Sequence, residues 1–218
     1  SGFAFAGLFS AAVAHWGWAA ADILPSATSG KPAALPRHWR WRGLVAANFL
    51  FSFGIVPHTI YWVDFLVRDV GLSMDAAGLQ WSVVGLSAFL GPIVSAALAA
   101  RIGISVTLLI VFVLLGLGVA GPAFLVMLPV LWFSSILYGG QPGLASIMAA
   151  RAREMGEAAD MPRMMRATIL ANACGAAIGG LSFPLLLDIS GSYDPLFAIG
   201  GGAMLLGALT TLTRRKPT

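Results

Sequence analysis

The stretch Gly54-Ile-Val-Pro-His-Thr-Ile-Tyr-Trp-Val-Asp-Phe-Leu-Val-Arg68 decides how this chain is read. It is the second half of an apolar run that opens near Gly43, and a run of about 20 such residues, rising 1.5 Å each, crosses a bilayer. A span that meets only lipid needs nothing but hydrocarbon-compatible side chains, yet this one carries Pro57, His58, Tyr61, Trp62, Asp64 and Arg68. An ionisable group at membrane depth is costly and faces a bundle interior or an aqueous cavity. At 3.6 residues per turn His58, Tyr61 and Trp62 fall on one side, and Asp64 and Arg68 form an i,i+4 pair. The helix therefore reads as one wall of a polar pathway.

Composition agrees with a membrane setting. The 218 residues are 58% hydrophobic and 10% charged, against about 25% charged in soluble domains, so a water-soluble fold is excluded. The 26 glycines suit helices that pack closely in lipid through small side chains. The net charge of +4 is spread over short loops between apolar runs. It reads as a topology signal rather than as a nucleic-acid surface, and the partner it implies is the lipid bilayer. A single cysteine, Cys174, excludes an intrachain disulfide.

Working outward, seven apolar segments lie near 3–24, 43–67, 76–100, 103–121, 123–149, 164–187 and 193–213. They predict an all-α, polytopic helix bundle: a lone span in 1–24, a basic linker over 25–42, a six-helix bundle over 43–213 and a tail at 214–218. Assigning alternate loops to alternate sides puts all 13 lysines and arginines except Arg68 on one face of the membrane. Positive residues mark the cytoplasmic side, which predicts a cytoplasmic C-terminus and an N-terminus outside.

Three stretches resemble a known family. Pro57-His-Thr-Ile-Tyr-Trp-Val-Asp64 resembles the start of the C-terminal bundle in the YbfB/YjiJ branch of the major facilitator superfamily. Ala97-Leu-Ala-Ala-Arg-Ile-Gly103 is similar to the superfamily's short-loop pattern Gly-x-Leu-Ala-Asp-Arg-x-Gly. Leu98, Ala99, Arg101 and Gly103 fit it, while Ala100 stands where the acid is expected. Gly175 to Gly180, followed by Asp188-Ile-Ser-Gly-Ser-Tyr193, looks like the last helical hairpin of many facilitator transporters. The resemblance implies that 43–213 is a C-terminal bundle of two three-helix inverted repeats, with the first span matching the last helix of an N-terminal bundle. It also implies a fragment of a twelve-span transporter in the bacterial inner membrane. On that expectation the chain works with a missing N-terminal bundle or a second copy and does not transport alone.

The candidate residues each have a competing structural role. His58 has a near-neutral reference pKa and sits near midspan, as proton exchange requires, or it packs against a neighbouring helix. Asp64 and Arg68 are a proton-linked carboxylate and its partner, a substrate contact, or an ion pair that holds an outer gate. Tyr61 and Trp62 are cavity wall or packing. Tyr138-Gly-Gly-Gln-Pro142 predicts broken backbone inside the fifth segment, where freed carbonyls need protein or water, so Tyr138 and Gln141 join the cavity candidates. Asn172 faces the same cavity or joins two helices, and Trp81, beside Gln80, reads as an interfacial anchor. Gly175-x-x-x-Gly179 reads as a close helix contact.

No HExxH, Gly-x-Ser-x-Gly or P-loop occurs, and histidines at 15, 38 and 58 have no metal-ligand spacing. Neither an enzyme, a metal nor a cofactor is expected. A retinal Schiff base fails as well, because Lys31 and Lys216 lie in a linker and a tail. The expectation is a secondary transporter that moves a small solute by alternating access, coupled to protons at His58 or Asp64. The alternative is a non-transporting scaffold or assembly subunit that acts through helix pairing.

Overall fold

The computed structural model describes residues 39–155 and 161–211. The expected first span at 3–24, most of the linker at 25–42 and the tail at 214–218 lie outside them. Within the described residues the fold is all α, with helices α1 (Trp39–Arg68), α2 (Met74–Ile102), α3 (Ile104–Ala120), α4 (Leu128–Gly139), α5 (Gln141–Met155), α6 (Met161–Ser190) and α7 (Asp194–Thr211). A short 3-10 turn, Gly121–Ala123, follows α3. Arg42–Arg68, α2, Ile104–Ala123, α6 and α7 are each long and apolar enough to cross a membrane.

Two boundaries differ from the sequence reading. The linker was expected to run to residue 42, but α1 begins at Trp39. Trp and Arg are favoured in the interfacial turn of a span, so a basic, aromatic start does not delay the helix. The segment expected at 123–149 is two helices, α4 and α5, and it extends to Met155. Gly140 separates them, its N–H bonding back to the Ile136 and Leu137 carbonyls. Pro142 sits in the first turn of α5, where its missing N–H costs no helical bond.

The turns are set by local chemistry. Ser73 caps α2 by accepting a bond from the Ala76 N–H at 3.2 Å, with Asp75 in the first turn complementing the helix dipole. Gly103 joins α2 directly to α3 at φ +85, a left-handed conformation that a β-carbon disfavours. Its N–H closes the end of α2 on the Ala99 carbonyl at 2.9 Å.

Glycines then bring the helices together. A Cβ on Gly54 of α1 would lie 2.6 Å from the Gly200 carbonyl oxygen of α7, and one on Gly200 would lie 2.7 Å from the Gly54 oxygen. Gly175 of α6 meets the Phe49 carbonyl of α1, and Gly179 meets Val56 one turn further on, so Gly175-x-x-x-Gly179 is a helix contact. Gly91 of α2 lies against Gly140 at the α4–α5 break, and Gly116 of α3 against Leu205 and Gly201 of α7. In lipid such close approach replaces the hydrophobic effect as the force between helices. α1 is the central strut, 50% buried in its most apolar stretch, against 11% for α2 and 17% for α6.

Candidate functional site

The polar residues of α1 converge on α4 through two consecutive serines. His58 Nε2 lies 2.7 Å from Ser134 Oγ, and Ser134 Oγ donates to the Gly118 carbonyl of α3 at 2.7 Å. A hydroxyl has one proton to give. Ser134 therefore accepts from His58, and the imidazole is the Nε2–H tautomer. One position on, Trp62 Nε1 donates to Ser135 Oγ at 3.1 Å, and Ser135 donates to Gln80 Oε1 of α2 at 2.8 Å. Each serine relays a donor from α1 to an acceptor on a third helix.

A third chain runs the opposite way. Thr59 Oγ1 donates to the Ile55 carbonyl at 2.9 Å, so the Tyr138 hydroxyl, 2.8 Å away, donates to Thr59. Gln141 is a further side-chain hydrogen-bond neighbour of Tyr138. Aromatic rings enclose the histidine: Trp62 stacks on it at 4.4 Å between centroids, Tyr138 is tilted at 5.0 Å, and Phe197 of α7 presents an edge at 4.9 Å. His58 and Trp62 are completely buried. Among the described residues His58 Nδ1 has no hydrogen-bond partner.

At the Arg68 end of α1 lies a charged cluster. Arg68 Nε pairs with Asp64 Oδ1 at 2.8 Å, and the Tyr193 hydroxyl donates to Asp64 Oδ2. Tyr193 stands in the turn between α6 and α7, reached through Gly191 at φ +62. Burial first, and then the bond to Asp64, push its phenol up to about 12, so it stays a donor. Beneath the cluster, Trp62, Phe65, Leu66, Leu131, Tyr193 and Phe197 form an aromatic plug. Tyr61 is half-buried beside it, 6.4 Å from the Tyr193 ring.

The opposite half of the bundle holds a cavity of about 220 Å³ between the start of α1, the end of α5 and the start of α6, open on one side. Asn48, Thr168 and Asn172 are its polar lining, among Phe51, Met148 and Met165. The first residues of α6 and the last of α5 share one end of the bundle with Asn48. Phe51 and Asp64 are 13 positions apart, about 20 Å along the helix.

The structure thus brings His58, Trp62 and Tyr138 together, with Gln141 beside Tyr138, and it groups Asp64 and Arg68 separately near Tyr61. Only Asn172 of the expected cavity residues lines the cavity. Trp62 and Tyr138 face packed interior, Trp62 against Phe65 and Phe197 and Tyr138 against His58. Arg101 and Gly103 mark the α2–α3 turn, remote from these groups. Arg101 is exposed and, among the described residues, makes no ion pair. Trp81 is partly exposed, its ring 6.3 Å from Tyr138, while its neighbour Gln80 is buried. Among the described residues no three His, Cys, Asp or Glu side chains gather as a metal site.

The sequence reading missed Asn48, Thr59, Ser134, Ser135 and Tyr193, and passed over Gln80 beside its neighbouring Trp. A Ser-Ser pair inside an apolar run is itself a signal, since a hydroxyl in lipid must find an acceptor.

A family model described as "Uncharacterised MFS-type transporter YbfB" matches residues 4–212. The chain belongs to this family of the major facilitator superfamily. It is an integral membrane protein of a transporter family. Comparison with curated proteins gives no significant match.

Proposed function

We propose that this chain supplies one bundle of a secondary active transporter that carries a small solute across the inner membrane by alternating access. One observation carries the reading. The Arg68 end is closed by the aromatic plug and the Asp64–Arg68–Tyr193 cluster, while a polar-lined cavity of about 220 Å³ lies at the other end. One sealed end and one open end is what a single state of an alternating-access cycle requires. With the positive residues inside, the open end is cytoplasmic and the cluster forms the outer gate.

Proton coupling belongs to Asp64 in this reading. His58 is enclosed by rings and by Ser134, and a second proton on Nδ1 would enter a site with no acceptor among the described residues. A proton on Asp64 instead removes the charge that holds Arg68 and weakens the acceptor for Tyr193. Releasing both contacts favours the outward-open state. The bundle rocks against an N-terminal bundle or a second copy.

The test is reciprocal accessibility in native membranes. Single cysteines replace Asn172 in the cavity and Tyr61 at the gate, in a Cys174→Ala background. Imposing opposite proton gradients is expected to move their labelling by impermeant thiol reagents in opposite directions. Labelling at both positions that ignores the gradient would sink alternating access. It would favour the scaffold alternative.

A further inference from the structure

We infer that the cavity between α1, α5 and α6 is the solute site and that it selects an uncharged, amphipathic molecule with a hydrogen-bond donor and an acceptor on an apolar body. The inference rests on the transporter reading above and names its substrate class.

Asn48 Nδ2 donates to the Leu44 carbonyl at 2.9 Å, so its Oδ1 is an acceptor held at fixed orientation. Asn172 Oδ1 accepts a long bond from the buried Ser52 hydroxyl at 3.4 Å, which leaves its two amide protons to donate. Thr168 Oγ1 gives its proton to the Met164 and Met165 carbonyls, both at 3.0 Å, and keeps its lone pairs. The lining therefore presents two acceptors from α1 and α6 and one donor group from α6. A ligand that donates and accepts satisfies all three, and one that does neither leaves them desolvated.

The charge requirement is equally specific. Among the described residues no Asp, Glu, Lys or Arg lines the cavity. Three arginines adjoin lining residues in sequence, Arg151 and Arg153 beside Ala152 and Arg166 beside Met165, but none of them contributes to the lining. Arg151 is tied to Glu154 at 2.8 Å, and Arg153 and Arg166 are exposed. An ion entering here would surrender its hydration and find no counter-charge in the described lining. The rest of the described wall is Phe51, Met148, Met165, Ile169 and three alanines. Thioether side chains adapt to differing apolar shapes, so the site accepts a class of molecules rather than one. The volume equals that of about seven liquid waters at ~30 Å³ each, which admits a single small ring or a short branched chain.

Four probes on similar carbon frames separate the possibilities: benzamide, benzoate, benzylamine and toluene. The reporter is Ala149→Cys on the cavity wall, with Cys174→Ala, in the purified full chain without any gradient. Benzamide is expected to slow thiol labelling of this cysteine, and the two ions are not. Asn172→Ala and the shape-conserving Thr168→Val should each weaken benzamide protection at least tenfold, measured against that variant's own unprotected rate. Equal protection by toluene would make the cavity a greasy groove and overturn the proposal. So would stronger protection by benzoate or benzylamine, or no protection by benzamide. Because binding is read at equilibrium, these outcomes are independent of the gradient experiment: protection without gradient-linked labelling keeps the site and discards the transport cycle.

Discussion

His58 and Ser134 meet at 2.7 Å across the α1–α4 contact, and the serine's proton is already committed to the Gly118 carbonyl. The histidine must therefore donate. One hydroxyl fixes an imidazole tautomer and ties three helices, α1, α3 and α4, at one level of the bundle.

Ser134→Ala breaks that tie and leaves both the imidazole N–H and the Gly118 carbonyl buried without a partner. Hydrogen bonds between membrane helices are individually modest, but an orphaned buried group adds its desolvation cost. The variant should lose about 1–2 kcal/mol of stability. Thermal unfolding of the detergent-solubilised protein measures this. A histidine nitrogen NMR spectrum of the wild type should show the neutral Nε2–H form, and an Nδ1–H signal would contradict the assignment.

Tyr193 offers a pH-dependent check on the other cluster. Its phenol is pushed up to about 12, by burial and then by the Asp64 carboxylate, from an ordinary value of about 10. A raised pKa in the folded state means the folded protein holds the proton more tightly. The associated stability is complete below about pH 10 and is lost as pH rises from about 10 to about 12. Phenolate absorbance should follow that course. In Asp64→Asn the Tyr193 transition should move down toward 10, because the hydrogen bond to a charged acceptor and its field are both gone.

Glycine placement predicts opposite outcomes at two nearby positions on α6. A Cβ on Gly175 would collide with the Phe49 carbonyl, which is backbone and cannot swing away, whereas Gly180 has nothing within 4 Å. Gly175→Ala should separate α1 from α6 and cost about 1–3 kcal/mol, the range for overpacking. Gly180→Ala should be neutral or stabilising by up to about 1 kcal/mol, through helix propensity. Comparing the two unfolding midpoints tests the packing directly.

Much of this fold was legible because a span must be long and apolar whatever it packs against. The runs at 43–67, 76–100, 103–121, 164–187 and 193–213 fall on α1, α2, α3, α6 and α7, and Gly139-Gly140-Gln141-Pro142 announced the break between α4 and α5. The i,i+4 pair of Asp64 and Arg68 was legible too, being local to one helix. What pairs across helices was not. Ser134 and Ser135 are positioned by how α4 rotates against α1, and sequence spacing carries no such register. Asn48 was hidden for a similar reason, since its place in the cavity depends on how α5 and α6 pack beside the start of α1.

The Asp64–Arg68 pair gives the sharpest separation of stability from function. Its side chains are 37% and 76% exposed, and exposed ion pairs contribute only about 0–1 kcal/mol. Arg68→Gln and Asp64→Asn should therefore shift the unfolding midpoint little, with the Asn variant somewhat worse because it also weakens the acceptor for Tyr193. Their effect on the gate should be large. Without the pair, the cysteine at position 61 is expected to label from the outside at a rate that no longer responds to the proton gradient. Both variants should behave alike in that assay if the charge pair is the coupling element. If Arg68→Gln uncouples labelling while Asp64→Asn leaves the gradient response intact, the proton is bound elsewhere, and the arginine acts through electrostatics alone.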